Sequence, residues 1–188
     1  MLTSNPHVNS RERPRKGRVP AMEYDVRPLT PDLRAAFEDL FGEHGAVNGC
    51  WCMYWRIGSE YRRRPHGENK AAFHDGLAVG WCQLTPRDAL PWLDRTWRLR
   101  RVDDAPVWSL SCFYVRIGHR RRGVMTVLIA GALDYARRAG AHALEAYPLD
   151  ASLTPSSSST GYVSTFRRMG FKIVGRRVPP RPIMRYEF

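Results

Sequence analysis

The sequence predicts one mixed α/β domain, and three features carry that prediction. Residues Val107–Arg116 have the length and the β-branched and aromatic content of a central strand. Apolar positions 125, 128, 129, 132 and 136 then repeat at helical spacing, and Gly140 ends the repeat. Upstream, Asp75-Gly76 separates two apolar runs, which signals a hairpin with a two-residue turn. A chain of 188 residues with 43% hydrophobic side chains can bury a full core as one domain.

The N-terminal part divides into a tail and the first elements of the domain. Residues 1–20 carry five basic side chains among Pro, Ser and Asn, which indicates a disordered basic tail ahead of a domain at residues 21–188. Tyr24–Arg27 alternates like a short strand. Pro31 suits a first helical position and predicts a helix to about Phe41, ending near Gly42.

The next stretch is rich in aromatic residues. Gly49–Arg56 holds three aromatics and two cysteines, and it reads either as a core segment or as a wall of a substrate pocket. Ala71–Phe73 and Leu77–Leu84 are predicted to pair as the antiparallel hairpin. After it, Thr85-Pro86 predicts the cap and first residue of a short helix.

The C-terminal third alternates strands and helices. Ala143–Tyr147 reads as a strand and residues 152–161 as a Ser-rich loop. A short helix at Val163–Met169 is expected to end on Gly170. Two strands, Phe171–Val174 and Ile183–Phe188, complete the chain.

Composition limits the partners without choosing one. The formal charge of +12 attracts polyanions, whether nucleic acid or a cofactor that carries phosphates. No run approaches the ~20 apolar residues of a membrane span, and residues 1–20 lack the apolar region of a secretory signal. We therefore expect a cytoplasmic protein that does not bind membranes.

The four cysteines are expected to be reduced and to pack in apolar surroundings. They are Cys50, Cys52, Cys82 and Cys112. The C-x-C pair lacks the wider spacing and the second pair of a structural zinc site, so no metal is predicted. Cys112 precedes aromatics near a basic turn, which leaves an activated nucleophile as the alternative to a structural thiol.

The turn after the central strand has the features of a phosphate site. Residues 118–123 read Gly-His-Arg-Arg-Arg-Gly, and the helix begins near Val124. Successive N–H groups and the positive end of the helix macrodipole favour an anion there, and Gly123 removes a side chain from its path. The attraction can be reinforced by Arg120, Arg121 and Arg122, although the same sequence is also typical of a solvated arginine loop.

The order Arg120-x-x-Gly123-x-Met125 resembles the acyl-CoA-binding motif of the GNAT superfamily. That motif runs Gln or Arg, two residues, Gly, one residue, then Gly or Ala, so Met125 departs from its last position. Residues 166–171, Phe-Arg-Arg-Met-Gly-Phe, resemble the superfamily's short helix that ends in Gly-Phe beside the pantetheine arm. Residues 50–56, 80–82 and 107–113 are also similar to a subgroup of uncharacterised bacterial GNAT proteins. Those relatives carry more chain before Leu77, so a second helix or strand is expected to be shortened here.

The resemblance implies a fold, a donor and a set of site residues. The fold would be a mixed, mostly antiparallel sheet flanked by helices, and the donor would be acetyl-CoA. Backbone N–H groups of the strand at Phe113, Tyr114 and Val115 would hold the thioester carbonyl, and Phe166 would lie beside the pantetheine. The remaining cofactor-binding residues would be Arg120, Arg121, Arg122, Gly123, Val124 and Met125.

The same resemblance requires a general base and a general acid. Glu145 is the only carboxylate in the strand after the motif helix and is the first candidate for the base. Its alternative role is a carboxylate paired with one of the many arginines, and Asp103 and Asp104 are in reserve. Phe166 stands where many GNAT enzymes have Tyr, so Tyr162, one helical turn earlier, is the candidate acid, with water as the alternative.

The sequence thus predicts an N-acetyltransferase that moves an acetyl group from acetyl-CoA directly to a primary amine of a small molecule or peptide. Two alternatives stay open: a catalytically degenerate GNAT fold that still binds CoA, and a basic nucleic-acid-binding protein. No specific nucleic-acid motif is visible, and a homodimer is left open.

Overall fold

A computed structural model of the protein describes residues 24–43, 45–46, 50–52, 54–57, 69–74, 77–150, 159–177 and 181–188. The predicted basic tail, the Asp75-Gly76 turn and residues 152–158 of the Ser-rich loop lie outside the described residues.

Within the described residues, seven strands form one mixed sheet. Their bounds are β1 Asp25–Pro28, β2 Asn69–His74, β3 Leu77–Pro86, β4 Val107–Val115, β5 Ala143–Ala146, β6 Lys172–Gly175 and β7 Ile183–Glu187. The strand order is β1-β2-β3-β4-β5-β7-β6. Only β4 and β5 are parallel, and every other neighbouring pair is antiparallel. The predicted mixed, mostly antiparallel sheet with flanking helices is therefore confirmed.

Five α-helices accompany the sheet in the described parts of the chain. They are α1 Arg34–Phe41, α2 Tyr54–Ile57, α3 Pro91–Arg95, α4 Val124–Arg138 and α5 Val163–Arg168. A 3-10 turn at Pro31–Leu33 leads into α1, and Gly42 after it has a φ of +67°. The predicted helices at residues 31–41, 124–138 and 163–169 are thus present.

The helix predicted to start at Thr85 is wrong in its position. β3 runs through Pro86, and Thr85 is a buried strand residue that lies opposite Ser109 of β4. The helical turn begins only at Arg87, and α3 has Pro91 as its first residue. Strand pairing therefore overrides a local cap-and-proline signal, because the sheet supplies Thr85 with partners that an isolated turn lacks.

Helix α4 packs on one face of the sheet through small residues. A Cβ added to Gly80 of β3 would lie 2.5 Å from Val124 Cγ1, so glycine allows the strand and helix to meet closely. The largest apolar cluster lies between this helix, α5 and the strands. It includes Leu128, Ile129 and Leu144. None of the helices in the described ranges is long and apolar enough to span a membrane.

The opposite face carries two smaller clusters. One joins Phe41 of α1, Cys52 and Trp81 of β3, with Trp51 and Cys112 packed against it. The predicted core role of the aromatic stretch at residues 49–56 is confirmed for Trp51 and Cys52, whereas Tyr54 is 46% exposed. The other cluster joins side chains around α3 to Tyr147 and β7. Strand alternation explains the division: Leu144 and Ala146 face α4, so Glu145 and Tyr147 face the other way.

Candidate active site

A gap opens between the two parallel strands. β5 pairs with β4 only from Val107 to Leu110, whereas β4 continues to Val115. On its other side, β4 stays paired with β3 and has an irregularity in register at Gln83/Leu84. Ligands of open sheets commonly bind outside the carboxyl ends of parallel strands, and this gap is such a place.

Helix α4 begins beside the gap with a glycine in the left-handed region. Gly123 is its N-cap with a φ of +83°, and Arg121 two residues earlier has a φ of +60°. Val127 N–H donates to Gly123 O at 3.1 Å, so the N–H groups of the residues before Val127 have no carbonyl of the helix to bond. A Cβ on Gly123 would meet nothing within 4 Å. The helix therefore presents its positive end to open space, as an anion site requires.

The three arginines of this turn are exposed and do not act alike. Arg120 Nε donates to Val115 O at 3.2 Å, so its guanidinium is anchored to the last residue of β4. The carbonyl of Arg122 accepts from the hydroxyl of Tyr24 at 3.4 Å. The turn is thus fastened to the end of β4 and to Tyr24, just before β1.

The segment Ser159–Gly161 lies in the gap. Phe113 N–H donates to Ser159 O at 2.6 Å, and Leu149 N–H donates to Gly161 O at 2.8 Å. On the helix side, a Cβ on Gly161 would lie 2.4 Å from Cε of Met125. The segment therefore contacts β4, the chain after β5 and the first turn of α4. Sequence reasoning missed this because the loop carries no signal that it returns to the sheet.

The segment occupies one of the backbone donors that the sequence assigned to the thioester carbonyl. Phe113 N–H is bonded to Ser159, while Arg116 N–H donates to Val79 O of β3. By alternation, Tyr114 N–H points toward β3 and Val115 N–H points away from it, toward the gap. Of the three N–H groups, that of Val115 therefore faces the gap and is not bonded to Ser159.

The aromatic site candidates belong to the core on both faces. The Phe113 ring lies edge-on to Phe166 at 5.9 Å, and Phe166 is fully buried. The Tyr114 ring stacks on Phe41 at 4.9 Å on the opposite face. Tyr162 is the half-buried N-cap of α5, and its carbonyl accepts from Phe166 N–H at 3.3 Å, which confirms the one-turn spacing between them.

Glu145 is buried in a network of charged side chains. Arg185 Nη2 donates to its Oε1 at 2.7 Å, and Arg87 Nη1 donates to its Oε2 at 3.2 Å. Tyr147 Oη donates to Oε2 at 3.3 Å, and Ser109 Oγ donates to Tyr147 Oη at 3.0 Å. Glu145 and Arg87 are 2% and 1% exposed, so this is an interior ion pair. Both carboxylate oxygens therefore accept hydrogen bonds from arginines, as expected for the alternative role of Glu145, a carboxylate paired with arginine.

Further contacts balance the positive charges of the two buried arginines, Arg87 and Arg185. Burial lowers the pKa of Arg87, but Tyr147, Asp94 and Glu145 together more than offset it, so its pKa rises. Burial raises the pKa of Tyr147, which keeps its hydroxyl protonated. Asp103 accepts from both terminal nitrogens of Arg185 at 2.8 Å, and this contact lowers the pKa of Asp103. Arg87 carried no sequence signal, because its partners are 7 to 60 positions away.

A basic cleft lies beside α3. It measures ≈ 150 Å³ and is lined by Arg56, Pro91, Trp92 and Arg95. Arg56 Nη2 donates to Thr85 Oγ1 at 3.1 Å, which ties the cleft to β3. The Arg95 guanidinium lies 4.2 Å from the centre of the Trp92 ring. Within the residues that the structure describes, no group of three or more His, Cys, Asp or Glu side chains is arranged to hold a metal.

The gap between parallel strands, the glycine-capped helix and the mixed sheet define a class of protein. Residues 29–171 match the model of the acetyltransferase (GNAT) family, and the chain belongs to that family. Its members are in general acetyl-CoA-dependent enzymes that acetylate amines. No curated protein matches the sequence significantly.

Solved structures support the same fold at low identity. A GNAT-family acetyltransferase from Listeria monocytogenes is 15% identical with a TM-score of 0.56, over 89% of this chain and 96% of that one. The Drosophila melanogaster polyamine N-acetyltransferase is 10% identical with a TM-score of 0.54, over 88% and 100%. Arabidopsis thaliana Naa50, in complex with the bisubstrate analogue CoA-Ac-MVNAL, is 11% identical with a TM-score of 0.51, over 88% and 99%.

Proposed function

We propose that this protein transfers the acetyl group of acetyl-CoA directly to a primary amine of a small molecule or peptide. The observation that carries the proposal is the opening of the β4–β5 gap beside the N-terminus of α4. Ser159–Gly161 contacts both Phe113 and Met125, so the strand edge and the helix start lie within the reach of one short segment. A phosphate-bearing thioester can span the same two features.

The proposed chemistry is one displacement. The amine nitrogen attacks the thioester carbonyl carbon, the C–S bond breaks, and the sulfur leaves as a thiol after it gains a proton. Gly123, Val124 and Met125 are the proposed cradle for the phosphates, with Arg120, Arg121 and Arg122 around it. Val115 N–H is the proposed donor to the carbonyl oxygen. Phe166 lines the proposed pantetheine path from beneath.

The proton roles are assigned from the contacts. Both oxygens of Glu145 are bonded to arginines. We therefore propose that Glu145 anchors Arg87 and Arg185 on the face of the sheet opposite α4, and that water carries away the proton of the ammonium. Tyr162 is the proposed acid, because it adjoins Gly161, which contacts the first turn of α4.

One observation favours a second candidate, a CoA-binding protein without transfer activity. The hydrogen bond from Phe113 N–H to Ser159 O holds Ser159 in the gap, near the proposed donor Val115 N–H. Acetyl-CoA must move this segment aside to place its thioester there, and a chain that keeps the segment in place would bind the phosphates alone.

Acetyl-CoA is expected to raise the melting temperature, whereas adenosine without phosphates is not. A ligand at about 100 times its Kd stabilises by about 2.7 kcal/mol, or roughly 5–10 °C for this size. Equal shifts would contradict the phosphate site.

Thiol release should then be measured with a polyamine, an amino acid, an aminoglycoside and a peptide with a free N-terminus. The amino acid is included because its carboxylate would be attracted by the arginines of the basic cleft. Binding without release from any amine would support the second candidate.

Tyr162→Phe is expected to lower turnover about 100-fold and leave acetyl-CoA affinity unchanged, since a general acid contributes about that much. The alkaline limb of the pH–rate profile should also disappear. Tyr135→Phe is the matched control, a half-buried tyrosine near the far end of α4. Equal turnover in both variants would give the acid role to water.

A further inference from the structure

Two thiols that are 60 positions apart in the chain meet on the face of the sheet opposite α4. Cys52 precedes α2, and Cys112 lies on β4 next to Phe113. The Cys52 thiol donates to Cys112 Sγ at 3.0 Å, and both residues are free cysteines. A disulfide has an S–S distance of about 2.05 Å, so an approach of about 1 Å would join them.

The backbone of Cys52 is held in an unusual conformation that directs its sulfur toward β4. Its φ is +62°, in the left-handed region that side chains other than glycine rarely adopt. Trp81 Nε1–H donates to Cys52 Sγ at 2.9 Å, and both side chains are buried. Such strain persists only where the surroundings enforce it. The sulfur is therefore held in place by the core on one side and by Cys112 on the other.

The two thiols differ in access. Cys112 is half-buried, whereas Cys52 is only 2% exposed. Burial, followed by the hydrogen bond with Cys112, raises the pKa of the Cys52 thiol well above its ordinary value. An oxidant thus meets Cys112 first, and Cys52 is positioned to respond to the product.

We propose that Cys52 and Cys112 form a reversible disulfide when the protein meets a peroxide, and that this bond fastens the segment before α2 to β4. Cys112 first reacts with one hydrogen peroxide to give a sulfenic acid and one water. The Cys52 sulfur then attacks the sulfenic sulfur, the S–O bond breaks, and the hydroxide leaves as a second water with the thiol proton. Two thiols and one peroxide thus give one disulfide and two waters, and a dithiol reductant reverses the change.

The chemistry of this pair does not depend on acyl transfer. Thiol content, peptide linkage and melting temperature report on it without any amine or acetyl-CoA. The proposal therefore stands or fails separately from the proposed function.

The test is to treat the full chain with roughly equimolar hydrogen peroxide, alkylate under denaturing conditions, and measure intact mass. Two of the four cysteines are expected to escape alkylation, and a dithiol should restore all four. A nonreducing digest should contain one linked pair, Cys52 with Cys112. Closing a loop of this length should raise the melting temperature of the oxidised protein by about 8–16 °C.

Four single variants sharpen the test. Cys52→Ser and Cys112→Ser should abolish the linked pair and the temperature rise. Cys50→Ser and Cys82→Ser should keep both, since Cys82 is a buried thiol in the cluster under α4. If Cys52→Ser does not fold, half-buried Cys112→Ser gives the same answer. Four alkylated cysteines after peroxide, a linked pair that contains Cys50, or Cys112 oxidised without a link would each overturn the proposal.

Discussion

Gly123→Asp is expected to weaken acetyl-CoA binding about 100-fold or more, whereas Gly123→Asn should weaken it less than about tenfold. A carboxylate at the start of α4 would occupy the proposed phosphate site and repel the phosphates. At about 4 Å and an effective dielectric of 20, one such pair of charges costs about 4 kcal/mol, and each 1.4 kcal/mol is tenfold in Kd. Asp and Asn have the same shape, so the difference between them isolates the charge.

The choice of substitution follows from the backbone. Gly123 has a φ of +83°, which strains any other residue, and Asn and Asp tolerate that region best. A Cβ at this position would meet no protein atom within 4 Å, so the backbone conformation and not a neighbouring residue limits the substitution. A larger residue such as Glu would mix backbone strain with charge and is a poorer probe.

Gly140 provides a matched control at the other end of the same helix. It has a φ of +76°, and a Cβ there would also meet nothing within 4 Å. Gly140→Asp should therefore carry a similar backbone cost and leave acetyl-CoA affinity unchanged. Binding can be measured by calorimetry, with circular dichroism to confirm the fold. Equal affinities for Gly123→Asp and Gly123→Asn would show that the phosphates bind elsewhere.

Local periodicity predicted the elements whose signals lie within a few residues. The helical repeat from Met125 and the stop at Gly140 gave α4, and the two apolar runs around Asp75-Gly76 gave the β2–β3 pair. The helix predicted to start at Thr85-Pro86 is wrong because the pairing of β3 with β4, a long-range interaction, extends the strand past a local helix signal. Secondary structure was thus predictable where the local pattern was clear and the sheet did not override it, whereas α2, at Tyr54–Ile57, was not predicted.

The candidate site was predictable only in its backbone features. A glycine that starts a helix after a strand is visible in the sequence, whereas side-chain partners depend on which strands are neighbours. Glu145 meets Arg185 because β5 pairs with β7, and Cys52 meets Cys112 across 60 positions. Neither contact has a local signature, and neither does the return of Ser159 to Phe113.

Glu145→Gln is expected to destabilise the fold strongly. The neutral amide cannot balance Arg87, which is 1% exposed, and Arg185, which is 8% exposed. Breaking a buried ion pair in this way costs about 3–5 kcal/mol, which lowers the melting temperature by about 10 °C for a chain of this size.

Asp103→Asn is the matched control for that loss. It removes the other carboxylate on Arg185, but this side chain is 47% exposed, so solvent takes its place at a cost of about 1 kcal/mol or less. Thermal melts of both variants give the comparison, and turnover should be measured well below the melting point of Glu145→Gln. A structural carboxylate predicts a large fall in melting temperature with the acidic limb of the pH–rate profile intact. A stable Glu145→Gln protein whose turnover falls sharply, and whose acidic limb disappears, would instead make Glu145 the general base. The two roles are separable because a general base must give up its contacts to receive a proton, whereas an anchor for Arg87 and Arg185 acts by keeping them.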